Sequence, residues 1–334
     1  MSAIEAVLSG AATHHVACER AETFIDRLPD GCVSLMTLDF PYFVKGPSVE
    51  WDNAWESLEA FIAWMGGVLA QCRRVLAPNG SIYVFAAPQV RGGLTMATRV
   101  ECEVARHVSV LQRITWQKPE GSTKAEMFDK DTCRSFFPAS EVIIFAEQPV
   151  DAAVEYLRAE CAAAGLTPEQ LSGVLGFKET SGSIAPRRYL AISGFAPMSR
   201  ADYAKLQVRT GRFARPYDAL YRSFNVSAEV PYTDVWTYRT VNTYAGKHPC
   251  EKPARMARDI VRASSREGGI VADFFCGSGA FLAAAVAEGR RAIGCDMDPH
   301  WAEQARGRCD AVKATGRVVR TAPKPKDDRQ GRLW

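Results

Sequence analysis

Short apolar runs alternate with longer helical patterns in the first part of the chain. The run Val-Ser-Leu-Met-Thr-Leu at 33–38 ends at Asp39 and predicts a buried strand with an acid at its carboxyl end. Apolar positions from Ser57 to Leu76 share one helical face, with Ser57 as the expected N-cap. A helical stretch near 92–105 and strands at 81–86, 108–116 and 141–146 complete this part. The alternation predicts an α/β fold with a layered sheet.

The alternation stops near residue 150, and residues 151–225 have a different, helical texture. A helical pattern covers 154–164, and a second helix is predicted to begin after Thr167. Thr167 can cap this helix, Pro168 suits its first position, and Gln170 completes a capping box. Gly176 is expected to end it. Two short helices joined by a tight turn predict a unit that resembles a helix-turn-helix.

Basic and aromatic residues are interleaved in this middle region. Its cations include Lys178, Arg187, Arg188 and Arg212, and the rings between the later cations are Tyr203, Phe213 and Tyr217. Cations suit a phosphate backbone and rings suit unstacked bases, so the region predicts a DNA-binding surface. An ordinary solvated surface over a small helical core is the alternative.

Strand and helix patterns alternate again after residue 230. A strand at 270–274 leads into a loop that contains Gly277 and Gly279, and a helix of small residues follows at 280–288. The next strand, 292–295, ends at Asp296, and Asp298 is expected to cap the helix after it, with Pro299 in its first turn. From about residue 311 the chain is rich in Lys, Arg and Pro, which predicts a flexible tail.

The glycine loop and the acid after the next strand predict an adenosine site. Glycine lets the backbone approach a ligand closely, and an acid such as Asp296 at the end of the next strand can accept hydrogen bonds from both ribose hydroxyls. The loop has only two of the three glycines usual for a nicotinamide dinucleotide. A methionine-bearing nucleoside needs no phosphate cradle, so the short loop favours it over the nicotinamide alternative.

Composition limits these interpretations only loosely. The chain has 334 residues, 47% of them hydrophobic and 24% charged, with a formal net charge of +3. This charge permits binding to nucleic acid without requiring it. The ten cysteines show no metal-ligand spacing, so we expect free, buried thiols in a reducing cytoplasm and no metal. The sequence shows no signal peptide and no apolar run of membrane-spanning length, so we expect a cytoplasmic protein.

Several separated motifs resemble those of the amino DNA methyltransferases. Leu38-Asp-Phe-Pro-Tyr42 resembles their catalytic D-P-P-Y, and Asp273-Phe-Phe-Cys-Gly-Ser-Gly279 resembles their S-adenosylmethionine motif. His248-Pro-Cys-Glu-Lys-Pro253 resembles the H-P-x-x-K-P segment that precedes the cofactor strand. The catalytic motif comes first, an order typical of the beta class, and the middle region resembles segments of phage and prophage methylases. The resemblance implies a Rossmann-like, mixed but mostly parallel sheet with a small helical target-recognition insert.

The resemblance also implies the roles of individual residues. The catalytic turn is Asp39, Phe40, Pro41 and Tyr42, in which the Asp39 side chain and the Phe40 carbonyl hold the target amino group and Tyr42 stacks on a flipped base. The expected S-adenosyl-L-methionine residues are His248, Lys252, Pro253, Asp273, Phe275, Gly277, Ser278, Gly279 and Asp296. Phe40 departs from the family's proline, which puts the rigidity of the turn in question.

The resemblance divides the chain into a catalytic part at 1–150, a target-recognition insert at 151–228, a cofactor part at 229–310 and a tail at 311–334. It implies methylation of adenine N6 in double-stranded DNA, since relatives acting on cytosine N4 often have Ser in place of Asp39. Cytosine N4 remains an alternative, as does a DNA-binding homologue with weak catalysis. Methylation of RNA, protein or a small molecule is a further alternative. The family resemblance is compatible with a homodimer and with a cognate restriction enzyme.

Overall fold

A computed structural model describes residues 1–43, 54–91, 93–119, 136–177, 188–191, 196–225 and 233–315. Its main feature is an eight-stranded sheet with the strand order β1-β10-β9-β2-β3-β7-β6-β8. The strands are β1 His14–Cys18, β2 Val33–Leu38, β3 Leu76–Ala86, β6 Ser109–Gln117, β7 Ser140–Glu147, β8 Val235–Thr237, β9 Ile270–Asp273 and β10 Arg291–Asp296. A separate two-stranded hairpin consists of β4 Val90–Arg91 and β5 Leu94–Thr95.

The sheet is mixed but mostly parallel, as predicted. The five strands from β1 to β3 in the sheet order pair in parallel. Strand β7 is antiparallel to both of its neighbours, β3 and β6, and β8 pairs in parallel with β6. The start of β7, rather than its end, therefore lies at the edge where the parallel strands have their carboxyl ends.

Helices cover both faces of the sheet. Those on one face are α1 Ala3–Ser9, α2 Ala21–Asp26, α3 Leu58–Val75 and α4 Met96–Ala105, and those on the other are α9 Ala254–Ser264, α10 Ala280–Ala287 and α11 Pro299–Thr315. Strand β2 is apolar almost throughout because both its faces are buried: Met36 and Leu38 join one core and Leu35 joins the other. The predicted N-cap of α3 is confirmed, since the Ser57 side chain accepts a hydrogen bond from the Ala60 N–H at 3.1 Å.

The middle region forms a small helical unit around its own core. Its helices are α5 Asp151–Ala163, α6 Pro168–Leu175, α7 Arg200–Thr210 and α8 Tyr217–Leu220. The predicted capping box is confirmed: Thr167 and Gln170 exchange side-chain to backbone hydrogen bonds, and Gly176 ends α6 with a φ of 78°. Tyr203 and Phe213 are buried in this core rather than displayed to bases. The Tyr203 hydroxyl lies within hydrogen-bond distance of the Phe213 and Arg215 carbonyl oxygens, which fixes its ring in the core.

Several boundaries differ from the sequence expectations. Helix α11 continues to Thr315, so the tail cannot begin at residue 311; Val312 is buried in the core and holds this last turn of the helix. Strand β3 begins at Leu76, directly after α3, rather than at residue 81 as expected. Strand β1 was not predicted, because its His-His-Val-Ala-Cys sequence is short and begins with two polar residues.

The cysteines and the helices give two further results. None of the nine cysteines within the described ranges forms a disulfide bond. Five of them are buried as expected, whereas Cys18, Cys102 and Cys250 are exposed, so the expectation of buried thiols is wrong for these three. Among the described helices, none has the length and apolar character needed to cross a membrane.

Replacing Gly294 with alanine should destabilise the fold. A Cβ on Gly294 would lie 2.4 Å from the Asp273 carbonyl oxygen, so β10 and β9 would have to separate. We expect the free energy of unfolding in urea to fall by about 1–3 kcal/mol. The control is Gly67→Ala on the exposed face of α3, where nothing lies within 4 Å, and this change should stabilise the helix slightly. Equal stability of Gly294→Ala and the wild type would contradict the strand packing.

Candidate active site

Three carboxylates lie at the carboxyl ends of three neighbouring strands. Asp39 follows β2, Asp273 is the last residue of β9, and Asp296 is the last residue of β10. Because β2, β9 and β10 are consecutive in the sheet, these acids share one edge. Ligands of open α/β sheets bind at this edge, so the fold itself brings the predicted catalytic and cofactor motifs together.

Asp39 belongs to a buried network of charged and hydroxyl groups. Its Oδ2 lies 2.5 Å from the Lys252 Nζ, and its Oδ1 accepts a hydrogen bond from the Tyr42 hydroxyl at 2.9 Å. The Tyr42 oxygen also lies 3.1 Å from Glu141 Oε2 and 3.2 Å from the Lys252 Nζ. On the outer side, Lys118 pairs with Glu141 at 2.6 Å. Two carboxylates and one ammonium group thus surround the Tyr42 hydroxyl, and a second ammonium group pairs with the outer carboxylate.

Burial and charge shift the titration of this network. Burial raises the pKa of Asp39 above its ordinary value, and the nearby Lys252 only partly offsets this. Burial opposes the charged form of Lys252, but the Asp39 and Glu141 carboxylates outweigh it and raise the pKa of Lys252. Burial and the same two carboxylates raise the pKa of Tyr42 well above its ordinary value. Lys252 therefore keeps its proton and Tyr42 stays a hydroxyl donor at neutral pH.

The glycine loop lies beside Asp39 and is shaped by the two other acids. Asp273 Oδ1 accepts from the Phe275 N–H at 3.2 Å, and Asp296 Oδ2 accepts from the Gly277 N–H at 2.8 Å. Gly277 and Gly279 have φ values of 46° and 76°, which disfavour other residues. A Cβ on Gly279 would also lie 2.7 Å from the Ala305 Cβ. Both glycines are therefore required by conformation, and Gly279 also by close packing against α11.

His248 forms one wall of the loop. Its ring lies edge-on to Trp301 with a centroid distance of 4.6 Å, and a Cβ on Gly277 would lie 3.1 Å from its Nε2. Burial lowers the pKa of His248 to about 4, helped by the nearby Lys252. The imidazole is therefore neutral at neutral pH and forms an uncharged wall.

The structure brings seven of the predicted catalytic and cofactor residues into the lining of one cleft. The cleft is lined by Asp39, His248, Lys252, Asp273, Phe275, Gly277 and Ser278, together with Cys250, Glu251, Cys276, Ala280 and Phe281. Pro253 lies just outside, at the N-cap of α9. Lys252 was expected with the cofactor residues, but its side chain contacts the catalytic Asp39.

Four contributors were not predicted from the sequence: Lys118, Glu141, Glu251 and Arg308. Glu141 begins an apolar run and would be assigned to the start of an ordinary strand. Glu141 reaches the site because β7 is antiparallel to its neighbours. The start of β7 therefore lies at the sheet edge that holds the carboxyl ends of β2, β9 and β10. Glu251 and Arg308 form a buried pair behind the glycine loop. Only the position of Glu251 within the H-P-C-E-K-P segment could have signalled its involvement.

Of the predicted DNA-binding residues, the structure describes Arg188 and Arg212, and neither is among the residues that line this cleft. Lys178 and Arg187 fall outside the described residues, and Arg188 is exposed at the start of a short turn. The Arg212 Nε lies 3.1 Å from Glu160 Oε2, an ion pair that joins the loop after α7 to helix α5. Arg212 thus has an intramolecular partner, and its contact with DNA stays a prediction.

Comparison with known proteins agrees with this geometry. The family profile described as DNA methylase, of the N6/N4 type, matches residues 33–307, which include both acidic motifs and the insert between them. The chain belongs to this family. S-adenosyl-L-methionine is the methyl donor of the family, as the sequence motifs predicted.

Individual relatives match over different lengths. DNA adenine methyltransferase YhdJ of Escherichia coli (strain K12) is 23% identical over 297 residues, which cover 86% of this chain and 80% of that protein. Type II methyltransferase M2.DpnII of Streptococcus pneumoniae is 40% identical over 85 residues, 25% of this chain and 32% of that protein. The chain therefore spans about a third of M2.DpnII in that match.

A solved structure supports the fold. PvuII DNA methyltransferase, described as cytosine-N4-specific, superposes with a TM-score of 0.53. The two sequences are 12% identical, and the match covers 88% of this chain and 86% of the other. At this identity the likeness concerns the fold alone.

The residues of the cleft suit S-adenosylmethionine. This nucleoside carries two ribose hydroxyl donors and a cationic sulfur but no phosphate. Asp296 lies beside the cleft at the end of β10, where its carboxylate suits the hydroxyls, and the buried Asp273 that lines the cleft suits positive charge. The first turn of α10, behind Gly279, has no side-chain cap, which leaves backbone N–H groups available at the loop.

Binding of this cofactor should become tighter as the pH rises toward 8. Burial raises the pKa of Asp273 to about 8, so the free protein holds a proton there at neutral pH. A cationic ligand favours the carboxylate, so binding must release that proton below pH 8 and release none well above it. Calorimetric titration between pH 6.5 and 9 measures the change in Kd.

The Asp273→Asn variant is the control for this measurement, because it keeps the shape but cannot ionise. Its affinity should lack the pH dependence that the wild type shows beyond the titration of the cofactor's own amino group. Identical pH profiles for the two proteins would contradict the assignment of Asp273.

Proposed function

We propose that this protein transfers the methyl group of S-adenosylmethionine to the exocyclic N6 of adenine in double-stranded DNA. The observation that carries the proposal is the position of Asp39. Its carboxylate is held by Lys252 and Tyr42 within the same cleft as the Gly277 loop. This geometry supports a role for Asp39 as a hydrogen-bond acceptor for an amino group beside the methyl donor.

The chemistry needs such an acceptor because the lone pair of an exocyclic amino group is delocalised into the ring. The Asp39 carboxylate would accept one N–H and the Phe40 backbone carbonyl the other, which turns the lone pair toward the methyl carbon. The cofactor, when bound, would supply a methyl group on a positive sulfur, whose C–S bond breaks to leave a neutral thioether. As the new N–C bond forms, the amino nitrogen becomes positive and loses a proton, which Asp39 can accept. Positioning supplies most of the rate.

Lys252 and Tyr42 would keep Asp39 ready for this role. The ammonium at 2.5 Å stabilises the carboxylate that accepts the amino proton. The tyrosine hydroxyl at 2.9 Å orients it, so that one side of Asp39 faces the target base. The ring of Tyr42 is half-buried and fixed at its hydroxyl end. Stacking of that ring on a flipped base is part of the proposal.

Packing compensates for the missing proline at position 40. The Phe40 side chain is buried, with its ring 4.8 Å from the ring of Phe275 and 5.8 Å from that of Trp64. Proline would fix φ through its own ring, whereas here neighbouring aromatic rings hold the side chain. We therefore infer an active turn, in preference to the alternative of a DNA-binding homologue with weak catalysis.

Two observations favour adenine over cytosine. The first residue of the catalytic turn is Asp39, where cytosine-N4 relatives often have Ser. YhdJ, a relative whose match covers 86% of this chain, is described as a DNA adenine methyltransferase. The PvuII enzyme acts on cytosine N4, but its 12% identity limits the comparison to the fold. A homodimer and a cognate restriction enzyme stay predictions.

The test is incorporation of labelled methyl groups from S-adenosylmethionine into unmethylated genomic DNA, followed by nucleoside analysis. We expect label in N6-methyladenine. Label in N4-methylcytosine would keep the reaction class and correct the base. Absence of label in DNA, with cofactor binding shown separately, would refute the proposed activity.

Replacing Asp39 with alanine should abolish methyl transfer, because the amino group loses its acceptor. We expect a rate loss of at least about a hundredfold, with cofactor affinity largely kept. The matched control is Asp30→Ala, an exposed acid in the loop before β2 whose loss should leave the rate unchanged. Full activity in the Asp39→Ala variant would show that another residue holds the amino group.

Neutralising Arg187 and Arg188 together should weaken DNA binding and flatten its salt dependence. The slope of log K against log salt is negative, and each lost phosphate contact reduces its magnitude by about 0.9. Fluorescence anisotropy at several salt concentrations measures this slope. The control is Arg106→Gln, an exposed cation at the end of α4, away from the catalytic edge of the sheet. An unchanged slope would remove the pair from the DNA surface.

A further inference from the structure

A buried ion pair lies directly behind the glycine loop. The Arg308 Nη2 of helix α11 lies 3.2 Å from Glu251 Oε1, and the two side chains are 4% and 2% exposed. Removing two charges from water is costly, and their mutual attraction seldom yields a net gain in stability. The pair therefore needs an explanation other than stability, and its hydrogen-bond partners suggest one.

The guanidinium of Arg308 holds the loop itself. Its Nη1 donates to both the carbonyl oxygen and the Oγ of Ser278, at 3.3 and 3.2 Å. Ser278 lies between Gly277 and Gly279, two residues that favour no fixed conformation by themselves. The cap of Ser278 by a rigid, planar cation fixes the point at which the loop turns into α10.

The carboxylate of Glu251 holds the opposite segment. Its Oε2 accepts a hydrogen bond from the Tyr244 hydroxyl at 2.5 Å. The backbone N–H of Glu251 donates to the His248 carbonyl at 3.2 Å. The next residue, Lys252, makes the ion pair with Asp39. One end of the Arg308–Glu251 pair is thus bonded to the cofactor loop, and the other adjoins the residue that holds the catalytic acid.

We propose that the Glu251–Arg308 pair is a positioning element that sets the spacing between the glycine loop and the Lys252 segment, so that cofactor affinity depends on it. Both residues act through others: Arg308 acts through Ser278, and Glu251 acts through the backbone that carries His248 and Lys252. The proposal concerns the cofactor site, so it holds or fails independently of the base that is methylated.

The test separates positioning from stability with a neutral double variant. Arg308→Met alone would leave the Glu251 charge buried and unpaired and is expected to unfold readily. Arg308→Met combined with Glu251→Gln removes both charges and keeps an acceptor for the Tyr244 hydroxyl. We expect a melting temperature close to that of the wild type, with a calorimetric Kd for S-adenosylmethionine raised at least about tenfold.

Glu251→Gln alone is the second variant, since the amide keeps the side-chain size and an acceptor for Arg308. Its Kd should lie between those of the wild type and the double variant. The matched control is Arg262→Met with Glu288→Gln, which removes another ion pair, at 2.7 Å, between α9 and the end of α10. This control should leave the Kd unchanged. Wild-type affinity in either folded Glu251 variant would overturn the proposal and leave the pair a structural feature only.

Discussion

The ion pair between Lys252 and Asp39 is the interaction on which the arrangement of the site depends. It joins the turn after β2 to the segment before α9, residues that are 213 positions apart in the chain. The Lys252 side chain is buried and the Asp39 side chain is largely buried, so each charge stabilises the other. Tyr42, Glu141 and Lys118 extend the pair into a network in which the charges alternate in sign. Asp39, the proposed catalytic acid, is thereby held in place by a residue of the segment before α9.

The sheet topology makes this pairing geometrically simple. Because β2, β9 and β10 are parallel neighbours, their terminal acids meet at one edge, and the glycine loop leaves the sheet beside Asp39. The inverted β7 adds Glu141 from its first residues. Phe40 then packs on Phe275 of the loop, which ties the catalytic turn to the cofactor turn through apolar contact as well as charge.

The sequence predicted those parts of the fold that depend on local signals. These signals act within a few residues, and the structure agrees with each of them. They are the apolar run at 33–38, the N-cap Ser57 and the capping box at Thr167. Family motifs predicted the acids and glycines of the cleft, because their order along the chain is distinctive. The short β1 and the extension of α11 were missed, since packing against distant elements determines both.

The remaining contacts that the sequence did not reveal join partners that are far apart in the chain. Lys252 was grouped with the cofactor residues by its motif, and nothing in the local sequence reveals that it reaches Asp39. Tyr203 and Phe213 were interpreted as base-stacking rings because they lie between cations, yet they form the core of the insert. Only the three-dimensional arrangement distinguishes a buried aromatic from a displayed one.

The most direct test of the Lys252–Asp39 pair is to replace Lys252 with methionine and to measure cofactor affinity and single-turnover methyl transfer separately. If Lys252 serves Asp39, transfer at saturating cofactor and DNA falls by at least about a hundredfold while the Kd for S-adenosylmethionine changes little. If instead the Kd rises steeply and the rate at saturation stays at the wild-type value, Lys252 is a cofactor-binding residue and its proposed service to Asp39 is contradicted.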